Sequence, residues 1–232
     1  MNKGIFITGT DTGVGKTYVA AGLIRAAKEK GLSVCPLKPV ETGCGARKGK
    51  LVPEDAVRLM KVSGVDEPLD LINPYRLKKP LAPAVASEIE GVVIERKRII
   101  SSYTRMRRKY DVTIVEGAGG IMVPVRGNYL FLHLIRELHI PLVIVARAGL
   151  GTINHTLLTI AAAMSEKLNV LGVVINYAVK KSKGLPEKTN PAVIEKLGGV
   201  PLLGTVPYLK DSSSARRKEI FSEIMANILS QM

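Results

Sequence analysis

The residues from Gly9 to Thr17, GTDTGVGKT, have the composition of a loop that binds phosphate. They follow the apolar run Gly4–Thr8 and precede a helical pattern over Thr17–Lys30, so the loop joins a strand to the start of a helix. In this context, backbone N–H groups and the amino terminus of the helix bind phosphate oxygens. The Lys16 ammonium is expected to reach the β and γ phosphates, and the Thr17 hydroxyl to bind Mg²⁺. The sequence therefore predicts a nucleotide-binding loop.

Two further charged residues, Glu116 and Lys38, are candidates to lie beside this loop, and a third, Asp55, is left open. Glu116 ends an apolar run and also fits a cap at a strand end, but beside a phosphate loop we favour a carboxylate that ligates a metal ion. Asp55 opens a helical pattern after Pro53, and its charge is explained equally well by stabilisation of the helix amino terminus. Lys38 follows another apolar run, where an ammonium can stabilise a transferring phosphoryl group. A lysine that only extends into solvent fits the Lys38 pattern equally well.

The elements that must position these residues alternate between short apolar runs and helical patterns. Continuous apolar runs are typical of strands buried on both faces, as in a parallel sheet flanked by helices. The predicted strands are Gly4–Thr8, Ser33–Lys38, Asp111–Glu116, Pro141–Ala146, Val170–Asn176 and Leu202–Val206. Together they predict an α/β fold with a doubly wound, mainly parallel sheet, in which ligands bind beyond the carboxyl ends of the strands. Lys180–Lys188 and Lys210–Ser214 are predicted to be surface loops.

Length and composition limit the class of protein. The 232 residues suffice for one well-buried domain, which we expect to span 1–232. The apolar run Ile140–Ala146 is far shorter than the ~20 residues that a membrane helix requires, and no export signal precedes the first strand. Cys35 and Cys44 are too few for a disulfide framework, so a cytoplasmic protein with reduced thiols is expected.

The formal net charge of +14 raises the question of nucleic-acid binding. The densest basic run, Glu95–Tyr110, spaces Ile99 and Tyr103 at helical intervals, which predicts an amphipathic helix with a solvated basic face. Aromatic residues make up only 4% of the chain, which leaves little material for base stacking. We therefore expect neither nucleic acid nor a membrane as a partner. His133 and His139 flank an apolar helix, lack the spacing of metal ligands and are expected to be structural.

Several short motifs occur together in one order along the chain. They are GTDTGVGKT, KPVETG at Lys38–Gly43, Asp55, NPY at Asn73–Tyr75, VEGAGG at Val115–Gly120, VPV at Val123–Val125 and GLGTINHTLLT at Gly149–Thr159. In this combination the chain resembles the dethiobiotin synthetase family, from residue 5 to about residue 209. The resemblance implies a P-loop, ATP-dependent ligase of biotin biosynthesis that forms a cyclic urea from 7,8-diaminononanoate, CO2 or bicarbonate, and ATP. It also implies Mg²⁺ as the cofactor and a homodimer.

The implied reaction passes through a carbamate. One amine captures CO2, ATP phosphorylates the carbamate to a carbamic-phosphoric anhydride, and the second amine attacks it and releases phosphate. Holding that amine against the activated carbon makes ring closure intramolecular, which can supply an effective molarity of ~10⁵ M or more. This chemistry needs positioning and charge stabilisation, and the sequence accordingly offers no obvious Ser/His/Asp set.

The resemblance also implies a role for residues by their position. Lys16 and Lys38 are the implied catalytic residues, which bracket the phosphate and the carbamate. Thr17, Asp55 and Glu116 are the implied Mg²⁺ ligands or their water-bridging partners. The implied nucleotide-binding residues are Gly13, Val14, Gly15, Lys16, Thr17, Tyr18, Asp55, Glu116, Gly117, Ala118, Gly119, Asn176, Tyr177, Pro207, Tyr208 and Leu209. The implied substrate-binding residues are Thr12, Lys38, Thr42, Gly149, Leu150, Gly151, Thr152, Ile153 and Asn154. In the family, the turn over Gly149–Asn154 comes from the partner subunit.

Two stretches depart from the family pattern. Ala82–Ala84 is Ala-Pro-Ala, where relatives often carry Ser-Pro-His. Glu187–Pro191 lacks a tyrosine with which some relatives contact the substrate carboxylate. Recognition of the substrate tail is therefore expected to differ in detail.

An alternative is a regulatory ATPase of the chromosome-partitioning type, which binds DNA or a membrane. Its loop carries a second lysine five residues before the main one, and Asp11 occupies that position here. Five residues, one more than usual, separate Gly9 from Gly15, and this longer turn is expected to bring Thr12 towards the carbamate. An acid in place of the second lysine argues against the partitioning-type ATPase and so favours the ligase. We expect Asp11 to orient a substrate amine or the water shell of the metal.

Overall fold

The computed structural model describes residues 3–178, 184–209 and 214–232. The strands are β1 (Lys3–Gly9), β2 (Val34–Leu37), β3 (Val40–Glu41), β4 (Gly45–Arg47), β5 (Lys50–Val52), β6 (Tyr75–Arg76), β7 (Val112–Gly120), β8 (Pro124–Arg126), β9 (Tyr129–Leu130), β10 (Leu142–Arg147), β11 (Val170–Asn176) and β12 (Leu202–Val206). The helices are α1 (Lys16–Glu29), α2 (Glu54–Ser63), α3 (Leu69–Ile72), α4 (Pro83–Ile89), α5 (Arg96–Lys109), α6 (Phe131–Leu138), α7 (Thr152–Ser165), α8 (Leu185–Gly198) and α9 (Ser214–Ser230).

The centre of the molecule is a parallel sheet with the strand order β12–β11–β10–β1–β7–β2. β1 pairs with β10 on one side and with β7 on the other, for example Phe6 with Leu142 and Ile5 with Ile114. Each of the six predicted strands corresponds to one strand of this sheet. The predicted α/β fold with a doubly wound parallel sheet is confirmed. The crevice at the carboxyl end of β1, where strand order reverses, is the place at which such folds bind ligands.

Helices cover both faces of the sheet. On one face α1, α2 and α9 bury Leu23, Leu59 and Phe221 against alternate strand residues. The corresponding residues of α5, α6, α7 and α8 on the other face are Ile99, Leu134, Ile160 and Ile194. Burying each such side chain contributes about 1.5–3 kcal/mol, so the sheet is a firm base for the residues at its edge. No helix in the described ranges is both long enough and apolar enough to cross a membrane.

The carboxyl end of β7 differs from the prediction. The predicted strand ended at Glu116, whereas β7 continues to Gly120. Its register with β1 shifts between the pairs Ile7–Glu116 and Gly9–Gly120, so four steps along β7 face two steps along β1. Such an irregularity turns main-chain groups out of the regular ladder. The continuation escaped prediction because glycine weakens a strand pattern.

Two predicted surface loops are partly helical. Residues 185–188 belong to α8, and Ser214 begins α9, so the loop prediction was wrong for these residues. Charged and turn-forming residues obscured the start of each helix in the sequence. The rest of these loops, residues 180–183 and 210–213, lies outside the described residues.

The basic helix and the histidines largely follow expectation. In α5, Ile99 and Tyr103 are buried, while the lysines and arginines are exposed, which confirms the amphipathic pattern. His139 caps the carboxyl end of α6. His133 lies inside α6 rather than beside it, and its Nδ1 accepts the Leu130 N–H at 3.0 Å. Both histidines therefore have structural contacts at the ends of one helix.

Candidate active site

Lys38 lies in a cluster of charges at the carboxyl end of β2. Its Nζ is 2.6 Å from Glu116 Oε1, 3.2 Å from Asp55 Oδ2 and 3.2 Å from the Gly117 carbonyl oxygen. The Lys38 side chain is only 3% exposed. The interpretation of Lys38 as a lysine that extends into solvent is therefore wrong, since its ammonium points into the crevice.

The main chain of Lys38 is held by the last residue of α3 and by the residue that follows it. The Lys38 N–H donates to the Ile72 carbonyl at 2.8 Å. The Asn73 side-chain amide donates to the Lys38 carbonyl at 2.7 Å and is fully buried. Leaving such a buried group unpaired costs about 1–3 kcal/mol. The sequence analysis quoted Asn73 within the NPY motif but assigned it no role, although its place in that motif was the available signal.

Glu116 extends from β7 towards α1. Its Oε1 accepts a hydrogen bond from the Thr17 hydroxyl at 2.8 Å, in addition to the one from Lys38. Its Oε2 is buried and has no hydrogen-bond partner within the described part of the chain. A buried carboxylate oxygen without a partner is costly, and a bound cation would relieve that cost.

The donor set at this point fits a magnesium ion. Asp55 and Glu116 supply two carboxylates, and Thr17 supplies a hydroxyl beside the phosphate loop. Across residues 3–178, 184–209 and 214–232, no three His, Cys, Asp or Glu side chains cluster as a metal site. Mg²⁺ is usually held by one or two carboxylates together with phosphate oxygens and water, so two carboxylates suffice.

The phosphate loop ends at an open helix terminus. α1 begins at Lys16, and its N-cap residue, Gly15, has no side chain that could cap the amino end. Gly15 has φ 93°, and a Cβ there would lie 2.1 Å from Asn176 Nδ2. The same Asn176 amide donates to the Val14 carbonyl at 2.8 Å, so β11 supports the loop from behind. The glycine is required, and the N–H groups at the start of α1 face the crevice as an anion site.

The first half of the loop is a hydrogen-bonded turn. Lys16 Nζ donates to the Asp11 carbonyl at 3.0 Å. The Asp11 carboxylate accepts the Thr12 N–H at 2.7 Å, so it stabilises the turn that carries Thr12. A role of Asp11 in orienting a substrate amine stays a prediction.

The two lysines have opposite pKa shifts. Burial, and after it the charge of Lys38, lower the pKa of Lys16 to about 8. Burial also opposes the charge of Lys38, but the carboxylates of Glu116 and Asp55 outweigh it, and the pKa of Lys38 is raised. Lys38 is therefore a cation throughout the neutral range, whereas Lys16 is close to its titration range until an anion approaches it.

These groups line one cavity of about 560 Å³, a volume typical of small-molecule sites. The predicted site residues that line it are Thr12, Gly13, Gly15, Lys16, Thr17, Lys38, Thr42, Asp55, Glu116, Ala118 and Gly119. Glu41, which the sequence analysis did not single out, lines it as well. Pro80, Leu81 and Val123 add an apolar wall. The cavity therefore joins a phosphate loop, two lysines and two carboxylates to an apolar surface.

Other predicted residues lie apart from this cavity. Among the described residues that line it, none belongs to Gly149–Asn154, the turn that leads into α7. Of the predicted adenine site, Asn176 is the last residue of β11, and Pro207–Leu209 follows β12. The Tyr177 side chain packs in the apolar layer of α5 to α8, and its hydroxyl donates to the Glu187 carbonyl at 3.0 Å. The roles of these residues stay predictions.

A strand, a glycine-rich loop and a helix that begins with lysine and threonine define the P-loop ATPase class. In agreement, the family described as AAA domain matches residues 3–216. The ATP-dependent dethiobiotin synthetase of Thermodesulfovibrio yellowstonii is 43% identical over 218 residues, which cover 91% of each chain. That of Methanocaldococcus jannaschii is 42% identical and covers 89% of this chain and 95% of its own. The chain belongs to the dethiobiotin synthetase family.

Solved structures of similar fold are much more distant in sequence. The cell division ATPase MinD of Pyrococcus furiosus has a TM-score of 0.62 at 16% identity, with 100% of both chains covered. The pNOB8 ParA structure bound to nonspecific DNA has a TM-score of 0.61 at 14% identity, covering 100% of this chain and 98% of its own. At such low identity, these similarities show the fold alone.

Proposed function

We propose that this chain is a ligase that forms dethiobiotin from 7,8-diaminononanoate, CO2 and ATP in biotin biosynthesis. The observation that carries the proposal is the convergence of Lys16, Lys38, Asp55 and Glu116 on one cavity at the phosphate loop. Family membership supplies the substrates, and the cavity supplies the groups that such a reaction requires.

Hydroxide is too poor a leaving group for direct ring closure on the carbamate, so the reaction first replaces it with phosphate. One amine attacks CO2 and loses a proton, which gives a carbamate. A carbamate oxygen then attacks the γ phosphorus of ATP, and ADP leaves. The second amine attacks the carbamoyl carbon of this mixed anhydride and loses a proton, the C–O bond breaks, phosphate leaves and the ring closes. Negative charge therefore develops twice on phosphate oxygens, and cations positioned beforehand stabilise it.

Lys16 and Lys38 are the catalytic residues of this proposal. Lys38 stays protonated between its carboxylates and faces the carbamate and the transferring phosphoryl group as a fixed positive charge. Lys16 donates to the phosphates, and their charge favours its protonated form. Thr12 and Thr42 line the same cavity and offer hydroxyls to the reacting nitrogen.

Thr17, Asp55 and Glu116 would hold Mg²⁺, for which the partnerless Oε2 of Glu116 is the supporting observation. When bound, this ion neutralises charge on the phosphate oxygens. Asn176, with the segment Pro207–Leu209 after β12, is proposed to bind the adenine. The Asn176 amide already contacts the phosphate loop, which supports its position beside the nucleotide.

We further propose a cytoplasmic homodimer in which Gly149–Asn154 of one subunit binds the substrate carboxylate at the other subunit's cavity. Leu150 in this turn is 82% exposed, and Leu158 in α7 is 61% exposed, as expected for residues that a second subunit covers. The start of α7 offers N–H groups to an anion. Lys38→Ala and Asn154→Ala should each lose most of the activity, and mixing the two should then restore part of it, because heterodimers regain one complete site. No recovery on mixing would contradict a shared site.

The function is tested by incubating the protein with diaminononanoate, ¹³C-bicarbonate, ATP and magnesium. We expect labelled dethiobiotin by mass spectrometry, with one phosphate released per product. ATP turnover that requires DNA and ignores the diamine would contradict the ligase and favour the partitioning-type ATPase.

A further inference from the structure

Glu41, the last residue of β3, holds the amino terminus of α2 with both oxygens of its carboxylate. Its Oε1 accepts the Asp55 N–H at 2.9 Å, and its Oε2 accepts the Ala56 N–H at 3.0 Å. The side chain is only 6% exposed. Hydrogen bonds to an ionised acceptor are stronger than neutral ones, so these two bonds tie the start of α2 firmly to β3.

α2 has no cap of its own. Pro53 occupies the position before the helix, and no side chain at that position accepts a hydrogen bond from the first turn. The first N–H groups of a helix need partners from elsewhere, because the helix itself supplies none. Glu41 supplies them from 14 residues before Asp55. The position of α2 therefore depends on a residue outside it.

Glu41 is itself fixed by the main chain. β3 pairs with β6, so that Val40 lies opposite Tyr75 and Glu41 opposite Arg76. The Glu41 carbonyl accepts the Leu77 N–H at 2.9 Å. The carboxylate thus extends from a backbone that is bound on its own account, and it can serve as a reference point for α2.

We propose that Glu41 is a positioning residue that holds the Asp55 carboxylate at the Lys38 ammonium. Asp55 donates its N–H to Glu41 and places its own carboxylate 3.2 Å from Lys38 Nζ. Its side chain is 44% exposed, so solvent competes for it wherever the backbone does not direct it. Glu41 acts through Asp55, since both of its oxygens bind the main chain. The inference rests on the proposed function, because Asp55 serves the same site.

Hydrogen exchange of the protein without ligands tests the contact. In Glu41→Gln the side chain keeps its shape but turns an NH2 group towards one of the two N–H groups. The Asp55 and Ala56 amides should then exchange about tenfold faster or more, because the charged cap is lost. The matched control is Asp111→Asn, which alters a carboxylate that accepts the Ser33 N–H at 2.8 Å at the amino ends of β2 and β7, whereas Glu41 lies beyond the carboxyl end of β2. Unchanged exchange in Glu41→Gln would overturn the proposal.

Calorimetry of ATP binding at varied magnesium concentration tests the positioning. Glu41→Gln should raise the magnesium concentration for half-maximal ATP binding about tenfold, as residues that orient metal ligands usually do. In an Asp55→Asn background the same change should have no further effect. Independent, additive effects would show that Glu41 acts only on general stability and would overturn the proposal. If Glu41→Gln does not fold, the shorter carboxylate of Glu41→Asp carries the same comparison.

The two proposals fail separately. Neither measurement needs the diamine, so a wild-type protein that binds ATP with magnesium but forms no dethiobiotin overturns the proposed function alone. A wild-type protein that forms dethiobiotin, with a Glu41→Gln variant that matches it in exchange and in magnesium dependence, overturns the positioning role alone.

Discussion

Two helices begin at the same cavity, and their amino termini are used in opposite ways. α1 begins after Gly15 and receives no capping side chain from the described residues, whereas α2 begins after Pro53 and receives the Glu41 carboxylate. Both termini carry a partial positive charge and attract an anion. The open terminus is left for a ligand anion, while the filled one is satisfied by the protein itself. In our proposal, phosphate therefore binds at α1, and α2 presents Asp55 to Lys38.

The same comparison extends to the two lysines. Lys16, at the open terminus, is buried and donates to a main-chain carbonyl, with no carboxylate of the described residues in hydrogen-bond contact, and its pKa falls to about 8. Lys38, beside the filled terminus, is paired with Glu116 and Asp55, and its pKa is raised. In our proposal, Lys16 thus receives its anionic partner from the ligand, whereas Lys38 already has its carboxylate partners in the free protein.

The largest effect is expected from removing the cation beside the filled terminus. Lys38→Ala should lower turnover about 10³-fold, because a fixed charge at the developing oxyanion is lost. It should also reduce the free energy of unfolding by about 3–5 kcal/mol, since Glu116 stays buried without its partner. ATP affinity, which depends on the loop, should fall much less. Steady-state kinetics, urea unfolding and calorimetry provide the three measurements.

The control for this variant is Lys78→Ala, which removes an exposed lysine. It should leave all three quantities nearly unchanged. Near-normal turnover in Lys38→Ala would contradict the catalytic role of Lys38 and leave only a structural one.

The second-largest effect is expected from adding a side chain at Gly15, directly before the open terminus. Gly15→Ala forces a side chain into a left-handed conformation, at a cost of about 1–2 kcal/mol, and into contact with Asn176. A loop displaced by about 1 Å should weaken ATP binding about a hundredfold. Gly31→Ala is the matched control, because Gly31 has φ 80° with nothing within 4 Å of its added Cβ. Both variants should lose stability, but only Gly15→Ala should lose ATP affinity; equal affinities would argue against an anion site at α1.

A smaller effect is expected from pH. Below pH 8 Lys16 is already protonated in the free protein, so ATP affinity should change little with this group. Above pH 8 binding must take up a proton, so affinity should fall by up to about tenfold per pH unit. Lys16→Arg keeps its charge and should remove this dependence. Calorimetry between pH 7 and about 9.5 measures it, and a flat wild-type profile would refute the shifted lysine.

The smallest effect is expected in the turn before the open terminus. Asp11→Asn keeps an oxygen that can accept the Thr12 N–H and removes only a charge. If that charge orients a substrate amine, the KM for the diamine should rise about threefold, as for an exposed ion pair, without a change in ATP affinity. An unchanged KM would leave Asp11 as a turn residue.

What the sequence predicted well was local. The strand, loop and helix from Lys3 to Glu29 could be recognised because apolar periodicity and loop glycines lie side by side in the chain. The strand-end rule also placed Lys38 and Glu116 at the same end of the sheet as this loop, whereas Asp55 was assigned to the site only through the family resemblance. That rule predicts the end of the sheet at which a residue lies but not the contacts of its side chain, so a Lys38 that extends into solvent fitted it equally well.

What the sequence could not predict depends on distant contacts. Glu41 and Asn73 have their roles because β3, β6 and α2 meet in space. Both lie in the quoted motifs KPVETG and NPY, but a motif does not show which main-chain groups a side chain binds. The continuation of β7 through Gly120 depends on its pairing with β1, and a glycine-rich sequence does not indicate such pairing. The partners of the Gly149–Asn154 turn lie outside a single chain in our proposal, and a sequence pattern carries no such geometry.

The contact between Glu41 and α2 has a practical consequence for the hairpin between β3 and α2. Its strands β4 and β5 are mostly exposed, and Lys48 and Gly49 form its tip with φ of 50° and 74°. Because two hydrogen bonds bridge the hairpin at its base, the length of chain within it need not determine where α2 begins. The tip is therefore the place where we expect the chain to accept inserted residues, such as an affinity tag or a fluorescent label, with the catalytic geometry preserved.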